Sequence, residues 1–316
     1  MRKSARRQRP CLLTLVARPR LRAFVAASLF VSAPASAQTA QTTINATENY
    51  VHTYTDPSTQ SPIHITSTGH VQGGNDDVIN LKGGGPWHVT NEGYVGGGYP
   101  IQVESGALTL DNSGSVVSNH FGVVNWEATG VTTINNSGTI SASTDMTGRT
   151  ADGIQLYMGS NATALINNSG TISGDNSGDR GGFGMVIFGA ADNSSSVSVT
   201  NTSAGVITGS HASNNGAQGL TIIGGKATVD NAGRIEVTRS NASGAALIFD
   251  KVIEGTITNT GTIIGAKTSG DGRGISFSTA AGATGPVSIT NKSGGSITTG
   301  VGAGDALLLD TSLGAL

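Results

Sequence analysis

Carboxylates are the residues of this 316-residue chain best suited to acid–base chemistry. Four aspartates lie just before short apolar stretches: Asp76, Asp77, Asp152 and Asp305. Breaking a glycosidic bond needs two carboxylates, or a carboxylate with Arg or Lys, on neighbouring segments of one face. Pro100, Gly184 and Gly219 stand at the equivalent place in intervening segments. We therefore interpret the aspartates as solvated turn residues.

Histidines are the next candidates, and there are six: His52, His64, His70, His88, His120 and His211. They lack supporting thiols or clustered carboxylates, which favours scattered surface histidines over a metal site. The stretch Gly73–Asp77 resembles a calcium-binding repeat but occurs once, whereas that class needs tandem copies. The stretch Gly174–Gly178 lacks the spacing of a Gly-Asp-Ser-Gly protease motif. The sequence thus predicts no catalytic residue, no metal site and no cofactor.

The element that must position any site is a short repeat: aliphatic, any residue, Asn, any residue, Gly, any residue, aliphatic. Nine copies are anchored at Ser67, Asn91, Asn112, Asn136, Asn168, Asn201, Asn231, Asn259 and Asn291. The residue two before each anchor and the residue two after each glycine are aliphatic in every copy, although the chain is only 36% hydrophobic. This alignment allows two extra residues before Gly205 and Gly295.

The apolar spacing of two indicates strands, and each interval holds a third one, such as Ile154–Leu156. No unit can bury its apolar face alone, but stacked units share a dry interior. We therefore predict an all-β fold, a right-handed parallel β-helix of about nine levels with three short strands each. Asn and Gly suit the bends because Asn tolerates left-handed backbone angles and Gly takes positive φ. Unrelated hairpin turns would instead give antiparallel pairs.

The N-terminal segment differs from the repeats. Residues 1–37 hold eight basic residues, an apolar run and Ala35-Ser-Ala37, which is typical of a signal peptide. Its removal would leave 10 basic and 20 acidic residues, a net charge of −10, and would remove the only cysteine, Cys11. A nucleic-acid partner is thereby disfavoured. We expect residues 38–62 to form an N-terminal cap or linker and residues 63–316 to form a C-terminally incomplete array of repeats.

The motif Asn-Ser-Gly-Thr-Ile occurs in two successive copies, Asn136–Ile140 and Asn168–Ile172, and Asn-Thr-Gly-Thr-Ile occurs at Asn259–Ile263. These motifs resemble those of bacterial autotransporter (type V secretion) passenger domains. The resemblance covers about residues 61–310. It implies a parallel β-helix exported to the cell surface, the outer membrane or the medium. It also implies an outer-membrane translocator barrel, which we expect to be missing from this chain and to be a further domain of a longer chain or a separate partner.

Two surface features are candidates for binding. Insertions at one corner are predicted to carry five basic residues: Arg149, Arg180, Arg239, Lys267 and Arg273. Solubility explains these charges equally well. The second feature is an outward row on the third strand, predicted as Asn80, Gln102, Asn125, Gln155, Val186, Thr221, Ile248, Ser276 and Leu308. A register slip of one residue would turn the apolar members of this row inward.

The absence of a convergent catalytic group in the pattern favours a non-enzymatic rod that acts in adhesion. Its partner would be a protein or glycan on a host or neighbouring cell, contacted through the corner loops. The alternative is a secreted β-helical polysaccharide lyase or hydrolase, which the release of reducing sugars would reveal.

Overall fold

A computed structural model describes residues 42–75, 77–212, 216–240, 244–266, 272–280, 283, 285–300 and 305–310. The strands of these residues form three parallel sheets of ten strands each. Sheet A contains β1 (Thr42–Ile44), β4 (Ile63–Ile65), β7 (Trp87–Asn91), β10 (Leu108–Asn112), β13 (Val131–Asn136), β16 (Thr163–Asn168), β19 (Ser196–Asn201), β22 (Lys226–Asn231), β25 (Glu254–Asn259) and β28 (Val287–Asn291). Sheet B contains β2 (Thr47–Glu48), β5 (His70–Gln72), β8 (Tyr94–Gly97), β11 (Ser115–Ser118), β14 (Thr139–Thr144), β17 (Thr171–Asn176), β20 (Val206–His211), β23 (Arg234–Arg239), β26 (Thr262–Ile264) and β29 (Ser296–Thr298). Sheet C contains β3 (His52–Tyr54), β6 (Asp77–Leu81), β9 (Tyr99–Val103), β12 (Phe121–Ala128), β15 (Ala151–Met158), β18 (Gly182–Phe188), β21 (Gln218–Ile223), β24 (Ala245–Val252), β27 (Arg273–Thr279) and β30 (Leu307–Asp310).

Every strand pairs with the equivalent strand of the next repeat, and the pairs are parallel. One strand from each sheet therefore makes one level, and the levels stack as a right-handed parallel β-helix. The predicted fold is confirmed, and the hairpin interpretation is wrong. Ten levels at about 4.8 Å each extend on the order of 45 Å. The structure has one level more than predicted, because β1, β2 and β3 form a level within the segment expected to be a cap or linker.

The interior is a continuous aliphatic column. Sixteen of the eighteen predicted inward aliphatics have no exposed surface, and Ile289 and Ile297 pack against the same core while partly buried. Trp87, Phe249 and Phe277 are the largest side chains inside. Because alternate residues of a strand point to opposite faces, the spacing of two in the sequence was sufficient to identify this column.

The bend asparagines form a hydrogen-bonded ladder between sheets A and B. From Asn91 to Asn291, the side-chain Nδ2 of each donates to Oδ1 of the next at 2.7–2.9 Å. The same Nδ2 groups also reach bend carbonyls, such as the 3.1 Å bond from Asn168 to Gly170. Buried amides are stable only when they are paired in this way. The ladder thus satisfies polar groups that the bends would otherwise leave inside the protein.

The first repeat is aligned differently from the prediction. Strand register pairs Ile65, and not Ser67, with Asn91. Ile44 takes the same place one level earlier. The anchor at Ser67 is therefore wrong, because two extra residues precede Gly69, as they do before Gly205. The ladder starts at Asn91, whose buried Oδ1 has no hydrogen-bond partner because an isoleucine stands where the preceding asparagine would be.

The bend glycines are required for a reason other than the one predicted. None of the described bend glycines, from Gly69 to Gly295, has a positive φ. Instead the backbone of the neighbouring level leaves no room for a side chain. A Cβ on Gly170 would collide with the carbonyl oxygen of Gly138, and one on Gly138 with that of Gly114. Close backbone approach is thus what selects glycine here.

The first level carries polar groups at positions that are aliphatic elsewhere. Glu48 pairs with Val71 and His52 pairs with Ile79, so both stand at inward positions. Nε2 of His52 lies 2.6 Å from a carboxylate oxygen of Glu48 at this edge. The four-residue helix α1 (Pro57–Gln60) follows, with Asp56 as its N-cap. No helix within the described part of the chain has the length and apolar character needed to cross a membrane.

Candidate functional site

The outer face of sheet C carries the row predicted to point outward, with one correction. Register places Val124 in the row beside Gln102 and Gln155, while Asn125 pairs with Val103 and Leu156 and is fully buried. The prediction for Asn125 is therefore wrong. Its Nδ2 donates to the carbonyl of Gly106 at 2.9 Å, which satisfies the buried amide.

The other eight residues of the row follow one another in the predicted order, with Val124 between Gln102 and Gln155. Val186 and Ile248 belong to the outer face, since their neighbours Met185 and Leu247 are buried in the core. The one-residue slip is therefore wrong for these two residues.

An aromatic cluster lies on this face at levels three to six. We use this name for Tyr99, Phe121, Trp126, Tyr157 and Phe188. Ring centroids are 5.6 Å apart for Tyr99 and Phe121, 5.9 Å for Phe121 and Trp126, 5.5 Å for Trp126 and Tyr157, and 4.7 Å for Tyr157 and Phe188. The rings form a continuous cluster contributed by four successive repeats. Trp126 is exposed, Tyr99, Tyr157 and Phe188 are half-buried, and Phe121 is buried beneath them. Such contiguous apolar surfaces mark binding sites on soluble proteins.

A break in strand register sets the position of the most exposed ring. The pairing of β12 with β15 is regular up to Asn125 and resumes only at Ala128, with a bulge between them. The bulge carries Trp126, whose exposed fraction is 39%. Bulges redirect side chains and are frequent at functional sites. Trp126 therefore stands out from a face on which Val124 is fully buried.

Buried polar atoms without a hydrogen-bond partner adjoin the cluster. They include Nδ1 of His120, Nη1 of Arg149, Oδ1 of Asp152 and Oε1 of Gln155. The His120 ring stacks on Phe121 at 3.8 Å, and Nε2 of Gln155 donates to the Tyr157 hydroxyl at 3.2 Å. Unpaired buried polar atoms are costly in folded proteins and are therefore candidates for ligand contacts.

Asp152 differs from the solvated turn residue that was predicted. It is 1% exposed and is paired along the sheet with Phe121 on one side and Phe183 on the other. Burial raises the pKa of its carboxyl well above the ordinary value, and a hydrogen bond from Thr150 opposes this only in part. The prediction is wrong for Asp152 because neighbouring levels supply aromatic rings that a single repeat does not reveal.

His120 is held in its neutral form by the same surroundings. Burial, followed by the positive charge of Arg149, lowers the pKa of His120 to about 4. Arg149 lies in the loop 145–150, between β14 and β15, and its carbonyl accepts a 2.7 Å bond from Asn176. One corner loop therefore brings a guanidinium to the edge of the aromatic cluster.

The other predicted basic residues lie along the same corner without joining this cluster. Arg180 is exposed in the loop 177–181, and Arg273 begins β27. Arg239 ends β23 and forms a 3.0 Å ion pair with Asp175. Lys267 falls outside the described residues. The corner is thus a line of separate positive charges, of which Arg149 alone is close to the rings in the part described.

The remaining candidates from the sequence have structural partners. His88 is 2.8 Å from Asp111, and His64 is 3.4 Å from Glu92. Asp77 accepts hydrogen bonds from Asn80 and Gln102. Asp76 is outside the described residues. Among the residues that the structure describes, no three His, Cys, Asp or Glu side chains are grouped closely enough to hold a metal ion.

A concavity of about 340 Å³ runs along the bends between sheets A and B. Its outer wall is a polar row in which Asn135 donates to Asp111 at 2.7 Å and Asn167 donates to Asn135 at 2.8 Å. The polar side chains of this row hydrogen-bond to one another, whereas the buried polar atoms beside the aromatic cluster have no hydrogen-bond partner. The face of sheet C is therefore the stronger candidate.

Comparison with known proteins gives no family assignment. No protein-family model, no curated protein and no solved structure matches this chain. The functional argument therefore rests on the sequence patterns, the fold and the geometry of sheet C.

Proposed function

We propose that this protein is an exported, non-catalytic β-helical rod of the autotransporter passenger type, which acts in adhesion. The observation that carries the proposal is the aromatic cluster, a contiguous ring surface with Trp126 exposed and unpaired polar atoms at its edge. A stiff stack of parallel strands presents such a surface without rearrangement, which lowers the entropic cost of binding. Export rests on the signal-peptide pattern of residues 1–37 and on the resemblance to passenger domains.

Adhesion is tested by the binding of the mature protein, from Gln38 onward, to cell surfaces. Trp126→Ala should reduce the bound amount at least tenfold, because it removes the most exposed ring. Leu165→Ala is the matched control, since Leu165 is 38% exposed but lies on sheet A. Absence of binding by the unaltered protein would contradict the proposed function.

The contribution of the corner loops needs a separate comparison at constant net charge. One variant replaces Arg149, Arg180, Arg239 and Arg273 by Gln. The control replaces four other basic residues by Gln: Lys82, Lys226, Lys251 and Lys292. Weaker binding by the corner variant alone would support the loops as contacts, whereas equal binding by both would limit the site to the rings.

Asp152 favours one alternative function, a polysaccharide lyase or hydrolase. A carboxyl whose pKa is raised by burial beside aromatic rings resembles a general acid. The test is incubation with a panel of polysaccharides, followed by assays for reducing ends and unsaturated products. Turnover that is lost in Asp152→Asn would replace the adhesive function with an enzymatic one.

A further inference from the structure

We infer that the face of sheet C around the aromatic cluster binds a glycan that carries carboxylate groups. This inference rests on the proposed adhesive function and names the ligand class for the same surface. Sugars combine apolar CH faces with dense hydroxyl groups. A site for them therefore needs aromatic surface with polar side chains alongside it. Both kinds of group are present on this face, within four successive levels.

The polar atoms fit hydroxyl groups better than they fit an apolar partner. Gln155 is 6% exposed, and its Oε1 has no partner although its Nε2 contacts Tyr157. Asp152 is 1% exposed and its Oδ1 is likewise unpaired. A protonated carboxyl and an amide can each donate and accept hydrogen bonds, as hydroxyl groups do. An apolar protein helix covering the rings would leave these atoms unsatisfied.

The preference for an acidic sugar comes from Arg149. Its Nη1 is buried without a hydrogen-bond partner at the edge of the cluster. Its charge acts on the neighbouring His120 and Tyr99 side chains. His120 is neutral above a pKa of about 4, and burial keeps Asp152 protonated well above its usual range. Arg149 is thus a positive charge beside the neutral His120 and Asp152, while the carboxylate of Asp77 lies on the far side, next to Tyr99. A sugar carboxylate is the partner that a guanidinium binds best.

The shape of the face favours a chain laid along the axis of the solenoid. Trp126, Tyr157 and Phe188 follow one another on successive levels, with centroids 5.5 and 4.7 Å apart. The ring surface is therefore longer along the axis than across it. An oligosaccharide in this direction would meet a new aromatic side chain at each level.

The chain offers a built-in probe, because it has two tryptophans and only one is accessible. Trp87 is 1% exposed and Trp126 is 39% exposed. Quenching of fluorescence by acrylamide therefore reports on Trp126. We would titrate the mature protein with hexasaccharides of galacturonate, guluronate and glucuronate-containing chains, and with neutral hexasaccharides of matched length. At least one uronate-bearing oligosaccharide should protect Trp126 from quenching.

Substitutions test which side chains contact the bound oligosaccharide. Affinity for the bound uronate, measured by calorimetry, should fall at least tenfold in Trp126→Ala and in Gln155→Ala. Arg149→Gln should reduce that affinity to the level of the matched neutral sugar. Leu165→Ala and Lys292→Gln, both remote from sheet C, should leave it unchanged.

The inference and the proposed function fail in different ways. Binding to none of the uronate-bearing oligosaccharides would overturn the inference, as would equal affinity for neutral ones. Cell binding that survives enzymatic removal of surface glycans would also overturn the inference. That result would indicate a protein partner. In these cases the adhesive function stands, because it fails only if the protein does not bind cells.

Discussion

Individual residues of the repeat make contacts with the neighbouring levels as well as within their own level. Asn168 accepts a hydrogen bond from Asn136 and donates one to Asn201, so each amide completes the one beneath it. Ile166 contributes to the interior with no exposed surface. The sequence predicts both roles, because a fixed spacing in each repeat places equivalent side chains above one another.

A pair of carboxylate substitutions tests which residues point inward. Ile166→Asp would bury an unpaired charge in the column and should cost about 3 to 5 kcal/mol of unfolding free energy. Thr171→Asp, at a half-buried position of β17, should cost less than about 1 kcal/mol. Urea unfolding followed by circular dichroism measures both. Similar midpoints for the two variants would contradict the assigned interior.

The pH dependence of stability tests the surroundings of Asp152. Its pKa is raised in the folded protein, so its stabilising contribution is complete below the unfolded value near 3.8 and is lost as pH rises towards the folded pKa. Asp152→Asn stays neutral throughout. Relative to this variant, the unaltered protein should therefore lose stability as pH increases from 4 to 7. His120 is present in both proteins, so its own titration cancels to first order. A difference in stability that does not change with pH would contradict the buried carboxyl.

At the scale of strands and bends, prediction succeeded where the repeat is regular and failed where it is interrupted. The register of sheet A followed from the Asn and aliphatic positions of the copies. The bulge after Asn125 could not be predicted, because the Val-Val-Asn-Trp stretch of β12 supports two registers of alternating residues. The aromatic cluster was missed for the same reason. Its rings come from four repeats, and only the correct register shows that they lie side by side.

The close approach of the bends predicts that their glycines cannot be replaced without loss of stability. Gly170→Ala should destabilise the protein by at least about 2 kcal/mol, since its Cβ would meet the backbone of the previous level. Gly74→Ala is the control, because a Cβ there has no atom within 4 Å. Thermal unfolding compares the two. A Gly170→Ala protein with the same thermal stability as the unaltered protein would contradict the close approach of adjacent bends.

The whole molecule is a stack in which function depends on equivalent positions being one level apart. Trp126 and Tyr157 are 31 residues apart in sequence, yet their rings contact each other because β12 and β15 are neighbours in sheet C. The first level places the contacting side chains of Glu48 and His52 where aliphatic residues would otherwise meet solvent. This edge could not be predicted, because its sequence does not contain the Asn-x-Gly motif. A single repeat thus explains the column, while the binding face emerges only from the assembled levels.

Cross-linking of neighbouring bends tests the stacking most directly. Residues 38–316 contain no cysteine, so a pair introduced into a protein that begins at Gln38 has no competing thiol. Ser137 and Ser169 follow Asn136 and Asn168, which are paired one level apart at about 4.8 Å, within the range that a disulfide spans. Ser137→Cys with Ser169→Cys should therefore oxidise to an intramolecular disulfide. Ser137→Cys with Thr202→Cys, two levels apart at roughly 10 Å, should not. Failure of the first pair, or equal oxidation of both, would contradict the parallel stack on which the binding face depends.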